Sequence, residues 1–115
     1  MAFTEHYTSE DLSRADLEGM AGPAVLEFGN SWCGYCRRTE PLLKAAFASR
    51  AEVRHIRVAD ASGRRLGRSF GVKLWPTLVF LKDGQEVERL VRPTDPDVID
   101  RAFGKIVGSD RRAGF

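Results

Sequence analysis

The chain has only two cysteines, and they stand three residues apart in Trp32-Cys33-Gly34-Tyr35-Cys36. Positions i and i+3 are neighbours on a helix surface, so this spacing sets both sulfurs on one side of a single turn. There they can close and open a small disulfide ring while the rest of the fold stays in place. A whole cysteine inventory in such a ring points to redox chemistry; the alternative is an inert pair of core cysteines. Two cysteines make no disulfide framework. They complete a four-ligand zinc site only if both His6 and His55 converge on them, and the two histidines have no ligand spacing to each other. The expectation is no metal and no cofactor beyond a Cys33–Cys36 disulfide.

A length of 115 residues suits a single domain with one core, expected over residues 8–107 with a loose tail at 108–115. The net charge of +2 is too weak to argue for nucleic acid or membrane as a partner. Arg64, Arg65 and Arg68, and the pair Arg111-Arg112, read as solvated faces, because no nucleic-acid motif accompanies them. No apolar run approaches a transmembrane length. Met1 to Met20 is polar and acidic and lacks the apolar stretch of a signal peptide. The expected location is the cytoplasm, or the periplasm if a signal peptide has been removed.

Local patterns divide the chain into alternating elements. Thr8-Ser9-Glu10-Asp11 reads as a helix start, with Leu12, Ala15, Leu17 and Met20 on an apolar face and Gly19 and Gly22-Pro23 as its end. A first short strand near Phe3 to Tyr7 is also expected. Ala24 to Phe28 is an apolar strand interrupted by Glu27, and Gly29-Asn30-Ser31 turns the chain toward the cysteines. From Cys33 to about Arg50 the pattern is helical, with Leu42, Leu43, Ala46 and Phe47 on one face and Pro41 as an internal kink. Val53 to Val58 alternates as a strand, Ala61-Ser62-Gly63 turns, and Arg64 to Phe70 makes a short helix closed by Gly71. Thr77 to Leu81 is a dense run of β-formers. Asp83-Gly84 signals a hairpin, with Glu86 to Val91 as the return strand. Pro93 to Pro96 breaks and caps, and Asp97 to Val107 is the last helix. Strands joined by helices imply parallel crossovers. The fold class is α/β: a mixed central sheet of four to five strands with helices on both faces.

This order, with Trp-Cys-Gly-Tyr-Cys between a strand and a proline-kinked helix, resembles the thioredoxin family from about Thr8 to Val107. Pro41, Trp75-Pro76-Thr77 and Lys82-Asp83-Gly84 match the family's helix kink, cis-proline loop and hairpin turn. The resemblance implies that the Trp75–Pro76 bond is cis and that Pro76 packs beside the disulfide. It also implies thiol-disulfide oxidoreductase activity on protein clients. The electron donor would be a thioredoxin-reductase-like flavoprotein or glutathione, and the protein would act as a monomer. Four departures stand out. Tyr35 replaces the proline usual between the cysteines, and Glu27 stands where the family has a buried aspartate. The position of a family lysine near that acid falls at Ile56 or Arg57. A groove glycine is replaced near Arg92-Pro93.

The site chemistry follows from the residues. Cys33 sits where a helix begins, and the unpaired first-turn N–H groups there favour a thiolate. It can attack a client disulfide, and Cys36 can then resolve the mixed disulfide. Gly34 keeps the approach open. Glu27 either faces solvent or is buried; if buried, it resists ionisation and can relay a proton to Cys36 through water. Pro76 is either an ordinary turn proline or, in the cis form, leaves the Trp75 N–H and C=O free for an extended client segment. Trp32 and Trp75 are rim or core residues. Tyr35 loosens the first helical position, so we expect a more oxidising disulfide than with proline there. Reduction of client disulfides is the expected direction. The alternatives are a disulfide isomerase or oxidase, and a client-binding module that keeps the fold without the chemistry.

Overall fold

A computed structural model describes residues 3–8, 12–61 and 64–107. Helix α1 (Arg14–Glu18) starts at Ser13, not at Thr8. Ser13 Oγ accepts the Asp16 N–H at 3.1 Å, and the Asp16 carboxylate accepts the Ser13 N–H at 3.0 Å. This reciprocal cap satisfies two first-turn donors. The expected start includes residues 9–11, which lie outside the described residues. Thr8 itself is engaged elsewhere: its N–H donates to the Arg57 carbonyl at 2.7 Å, and its carbonyl accepts the Ala59 N–H at 2.9 Å. No strand forms at Phe3 to Tyr7, where one is expected; the single parallel bridge there is made by Thr8, to Val58. The turn expected at Ser62-Gly63 and the tail at 108–115 also lie outside the described residues.

The remaining elements follow in the expected order: β1 (Pro23–Gly29), α2 (Gly34–Phe47), β2 (Arg54–Ala59), α3 (Arg65–Ser69), β3 (Thr77–Lys82), β4 (Gln85–Val91) and α4 (Pro96–Gly104). They build a mixed four-stranded sheet in the order β2-β1-β3-β4. The β1-α2-β2 crossover is parallel, as expected. The β2-α3-β3 connection is not: it carries the chain past β1, and β3 runs antiparallel to β1. The hairpin turn at Asp83 (φ 52°) and Gly84 (φ 80°) has two left-handed residues, which match the twist of β3 and β4. Gly84 also passes against the Glu18 carbonyl, where a Cβ would collide.

Alternation along β1 divides the core. Ala24, Leu26 and Phe28 face a cluster with Leu17, Leu66 and Phe70, under α1 and α3. Val25 faces the opposite cluster, which α2 and α4 close with Leu43, Phe47, Ile99 and Phe103. Both faces of the sheet are covered. The polar residues between Val53, Ile56 and Val58 are not on a solvent side: His55 and Arg57 are buried. His55 stacks on Phe47 at 4.6 Å between ring centroids.

Helix α4 begins at Asp95, whose carboxylate accepts the Asp97 N–H at 2.9 Å, with Pro96 at the first helical position. Its Phe103 ring meets Phe47 at 5.0 Å and Phe80 at 5.3 Å, both edge to face. Truncation to Phe103→Ala should cost about 3–5 kcal/mol, read as a lower urea midpoint with an unchanged slope.

Candidate active site

Strand β1 delivers the chain to its edge at Gly29, and Cys33 becomes the N-cap of α2. The Cys33 sulfur takes the place of a capping oxygen: it accepts the Cys36 N–H at 3.2 Å. The two cysteines are free thiols facing each other over one turn. Cys33 is 8% exposed and Cys36 is fully buried. The outer sulfur is thus the one open to solvent. Nothing lies within 4 Å of a Cβ built on Gly34, so the approach past it is open.

On its other side Cys33 meets the loop before β3. Its thiol points to the Trp75 carbonyl at 4.0 Å. The Trp75–Pro76 peptide bond is cis. Trp32 is 69% exposed and stands edge-on to the half-buried Trp75, with centroids 5.6 Å apart. The indole N–H of Trp75 donates to Asp60 Oδ2 at 2.8 Å, which fixes the ring. Trp32 is therefore a rim residue, and Trp75 joins rim to core. Tyr35 is 47% exposed at the second helical position; Gly34 holds the first. The Arg92 guanidinium lies 3.8 Å from the Tyr35 ring centroid, and that of Arg38 lies 5.3 Å away.

Glu27 is buried, on the face of β1 under α2. It is also paired. Arg57 is its register partner on β2, and Arg57 Nε stands 3.0 Å from Glu27 Oε1. The lysine-matching position is therefore Arg57, not Ile56. Burial works against the Arg57 charge, but Glu27 and Tyr7 beside it outweigh that and push its pKa above the usual arginine value. His55 Nε2 stands 2.8 Å from the same carboxylate oxygen. The Thr4 N–H donates to His55 Nδ1 at 2.9 Å, so Nδ1 is the acceptor and the ring proton sits on Nε2, toward Glu27.

Tyr7 and His55 escaped the sequence reading. Tyr7 Oη donates to Glu27 Oε2 at 3.3 Å and accepts from Arg57 Nη2 at 2.8 Å. The same hydroxyl faces Cys36 across Gly29: a Cβ on Gly29 would stand 3.3 Å from the oxygen and 2.7 Å from the sulfur. A glycine is needed there because two functional groups share the space. No local pattern marks Tyr7. His55 and Arg57 carried a weak signal, two polar residues at i and i+2 on a strand whose parallel neighbour holds a buried acid. Among the described residues, no group of three or more His, Cys, Asp or Glu is placed to hold a metal.

Burial pushes the Cys36 thiol up to about 12, and its hydrogen bond with Cys33 adds to the rise. In a Cys33→Ser variant, thiolate absorbance should therefore stay flat through the range near pH 8.5 where a free cysteine titrates. The folded chain holds this proton more tightly than the unfolded chain. Its contribution to stability is complete below about pH 8.5 and is lost as pH rises toward about 12. Urea titrations of the reduced protein across that window will check the sign.

Comparison with known proteins places these features together. The family model described as Thioredoxin matches residues 5–103. A thioredoxin from Chlamydia trachomatis is 34% identical over 85 residues, 74% of this chain and 83% of that protein. One from Listeria monocytogenes is 32% identical over 93 residues, 80% of this chain and 90% of its own length. The structure of thioredoxin 2 from Pseudomonas aeruginosa in its reduced form superposes with a TM-score of 0.81 at 49% identity, covering 90% of this chain and 96% of that one. With its dithiol at the start of α2 and the sheet order intact, the chain belongs to the thioredoxin family and is a protein-disulfide oxidoreductase.

Proposed function

We propose that this chain reduces disulfides in client proteins, with Cys33 as the attacking sulfur and Cys36 as the resolving one. The supporting observation is the N-cap: a helix N–H aimed at the Cys33 sulfur at 3.2 Å stabilises negative charge there. The Cys33 thiolate attacks one client sulfur, a mixed disulfide forms, and the other client sulfur leaves as a thiolate. Cys36 then loses its proton and attacks the Cys33 sulfur. The Cys33–Cys36 bond forms, the second client thiolate leaves, and the client has gained two electrons.

The second step needs a route for the Cys36 proton. Sequence reasoning put a water between Glu27 and Cys36; the Tyr7 hydroxyl stands in that place. Burial, with Glu27 beside it, pushes the Tyr7 phenol well above the usual tyrosine range, so it keeps a proton rather than acting as a free base. It acts as a relay, taking the Cys36 proton on its oxygen while passing its own to Glu27 Oε2. Arg57 occupies one lone pair of that oxygen and turns its hydrogen toward the carboxylate. A cleft lined by Glu5, His6, Trp32 and Arg37 reaches the half-buried Tyr7, the exit for the proton, with Arg57 buried at its floor.

We infer a cytoplasmic setting, because a reductant of disulfides needs a compartment that keeps thiols reduced. A flavin-dependent reductase or glutathione would return the electrons. Both sulfurs, the acid and the aromatic rim come from one chain, so a monomer suffices. The aromatic rim of Trp32 and Trp75, with the Trp75 backbone behind Cys33, is the surface on which an extended client would lie.

Turbidity of insulin with dithiothreitol tests the activity. The chain should accelerate precipitation and Cys33→Ser should abolish the acceleration; a variant as active as the parent would leave only the binding-module reading. For Tyr7→Phe, alkylation of Cys33 should be unchanged. Resolution of a preformed mixed disulfide should slow by on the order of 10² and become more alkaline in its pH profile, followed by quenched-flow mass spectrometry.

A further inference from the structure

Arg92 has left-handed backbone torsion (φ 51°), a region that glycine enters freely and a residue with a Cβ does not. Such an outlier persists where surrounding contacts hold it, and those contacts point to its use. The Arg92 N–H donates to the Pro76 carbonyl at 3.0 Å, and Nε donates to the Trp75 carbonyl at 2.8 Å. That is the same carbonyl the Cys33 thiol faces at 4.0 Å. The flat guanidinium lies on the Tyr35 ring at 3.8 Å. One residue thus spans from the loop behind Cys33 to the tyrosine between the cysteines.

The groove at Arg92 carries charge of one sign, whereas the cleft that Arg37 lines also holds Glu5 and Glu40. Arg38 stands over the same tyrosine at 5.3 Å, and Arg37 lines the cleft beside Trp32. Among the described residues, none of Arg37, Arg38 and Arg92 has a carboxylate within ion-pair distance. The groove from Tyr35 past Pro41 and Leu42 to Pro93 holds two of them and no acid. With Nε engaged and one face stacked, the terminal nitrogens of Arg92 remain as a fork for a carboxylate.

Resting on the reading of the protein as a disulfide reductase, we propose that Arg92 selects clients with an acidic side chain beside the disulfide. The occupant of this groove is an extended client segment carrying Asp or Glu next to the attacked cysteine. Its carboxylate takes the fork of terminal nitrogens, while Nε keeps its bond to the Trp75 carbonyl and holds the fork in place. A client with Lys or Arg at that position meets uncompensated like charge.

The test compares kcat/KM for three disulfide peptides differing only in Glu, Ala or Lys beside the attacked cysteine. Glu should exceed Lys by about tenfold or more at low ionic strength, and the ratio should shrink with salt. In Arg92→Gly, whose backbone suits the same torsion, the ratio should fall to within about twofold. Equal rates for the three peptides in the parent protein would overturn the proposal, as would a preference that survives in Arg92→Gly. Failure to reduce any peptide would overturn the reductase reading itself, which the insulin assay reports separately.

Discussion

The buried pair of Glu27 and Arg57 is the interaction on which the active end of the molecule rests. It joins β1 to β2 at matched register and ties both to the N-terminal segment. Arg57 Nη1 donates to the Thr4 carbonyl at 3.2 Å and to the Glu5 carbonyl at 2.9 Å, while Nη2 reaches Tyr7. Glu40 on α2 stands 3.6 Å from the same guanidinium. One cation therefore organises two strands, the helix that carries the cysteines, and a segment with almost no regular structure of its own. Breaking such a pair by removing one partner leaves a buried charge uncompensated, at about 3–5 kcal/mol. The pair is weak evidence for stability as such; replacement by a well-packed apolar pair can be neutral. Its value here is positional, because it sets the Tyr7 hydroxyl against Cys36.

What the sequence made legible was local. Cys33 and Cys36 need only one helical turn to meet, and Asp83-Gly84 needs only its own two torsions to close a hairpin. Apolar runs marked β1 and β3 because both faces of those strands are covered. The same burial hid His55 and Arg57, whose polarity reads as solvent exposure in a strand pattern. Tyr7 touches Glu27 and Arg57, 20 and 50 positions away. No local rule links residues so far apart. Thr8 misleads for the opposite reason: a good cap residue followed by acids looks like a helix start, but its backbone is bonded to β2. The direction of β3 is not legible locally, because an intervening helix suggests a parallel crossover, whereas here the connection also crosses β1.

The departures from the family pattern prove to be connected. Tyr35 between the cysteines and Arg92 in the groove seemed independent substitutions. In space they are one stacked unit, with the Trp75 carbonyl as its third member. Tyrosine at this place gives up the fixed torsion of proline and gains a flat face on which a guanidinium can rest. The left-handed torsion of Arg92 is held by bonds at both ends of its side chain and backbone. The groove beside Arg92 and the turn that carries the sulfurs are thus coupled through ordinary contacts.

Both indoles of the chain, Trp32 and Trp75, stand at the mouth of the dithiol and touch each other edge to face. Intrinsic near-ultraviolet emission from this protein therefore originates wholly at its reactive end, with no background from distant tryptophans. Oxidation, docking of a partner or movement of the Arg92 side chain would each alter the surroundings of these two fluorophores. The molecule carries its own optical gauge of the chemistry it performs, with no added label.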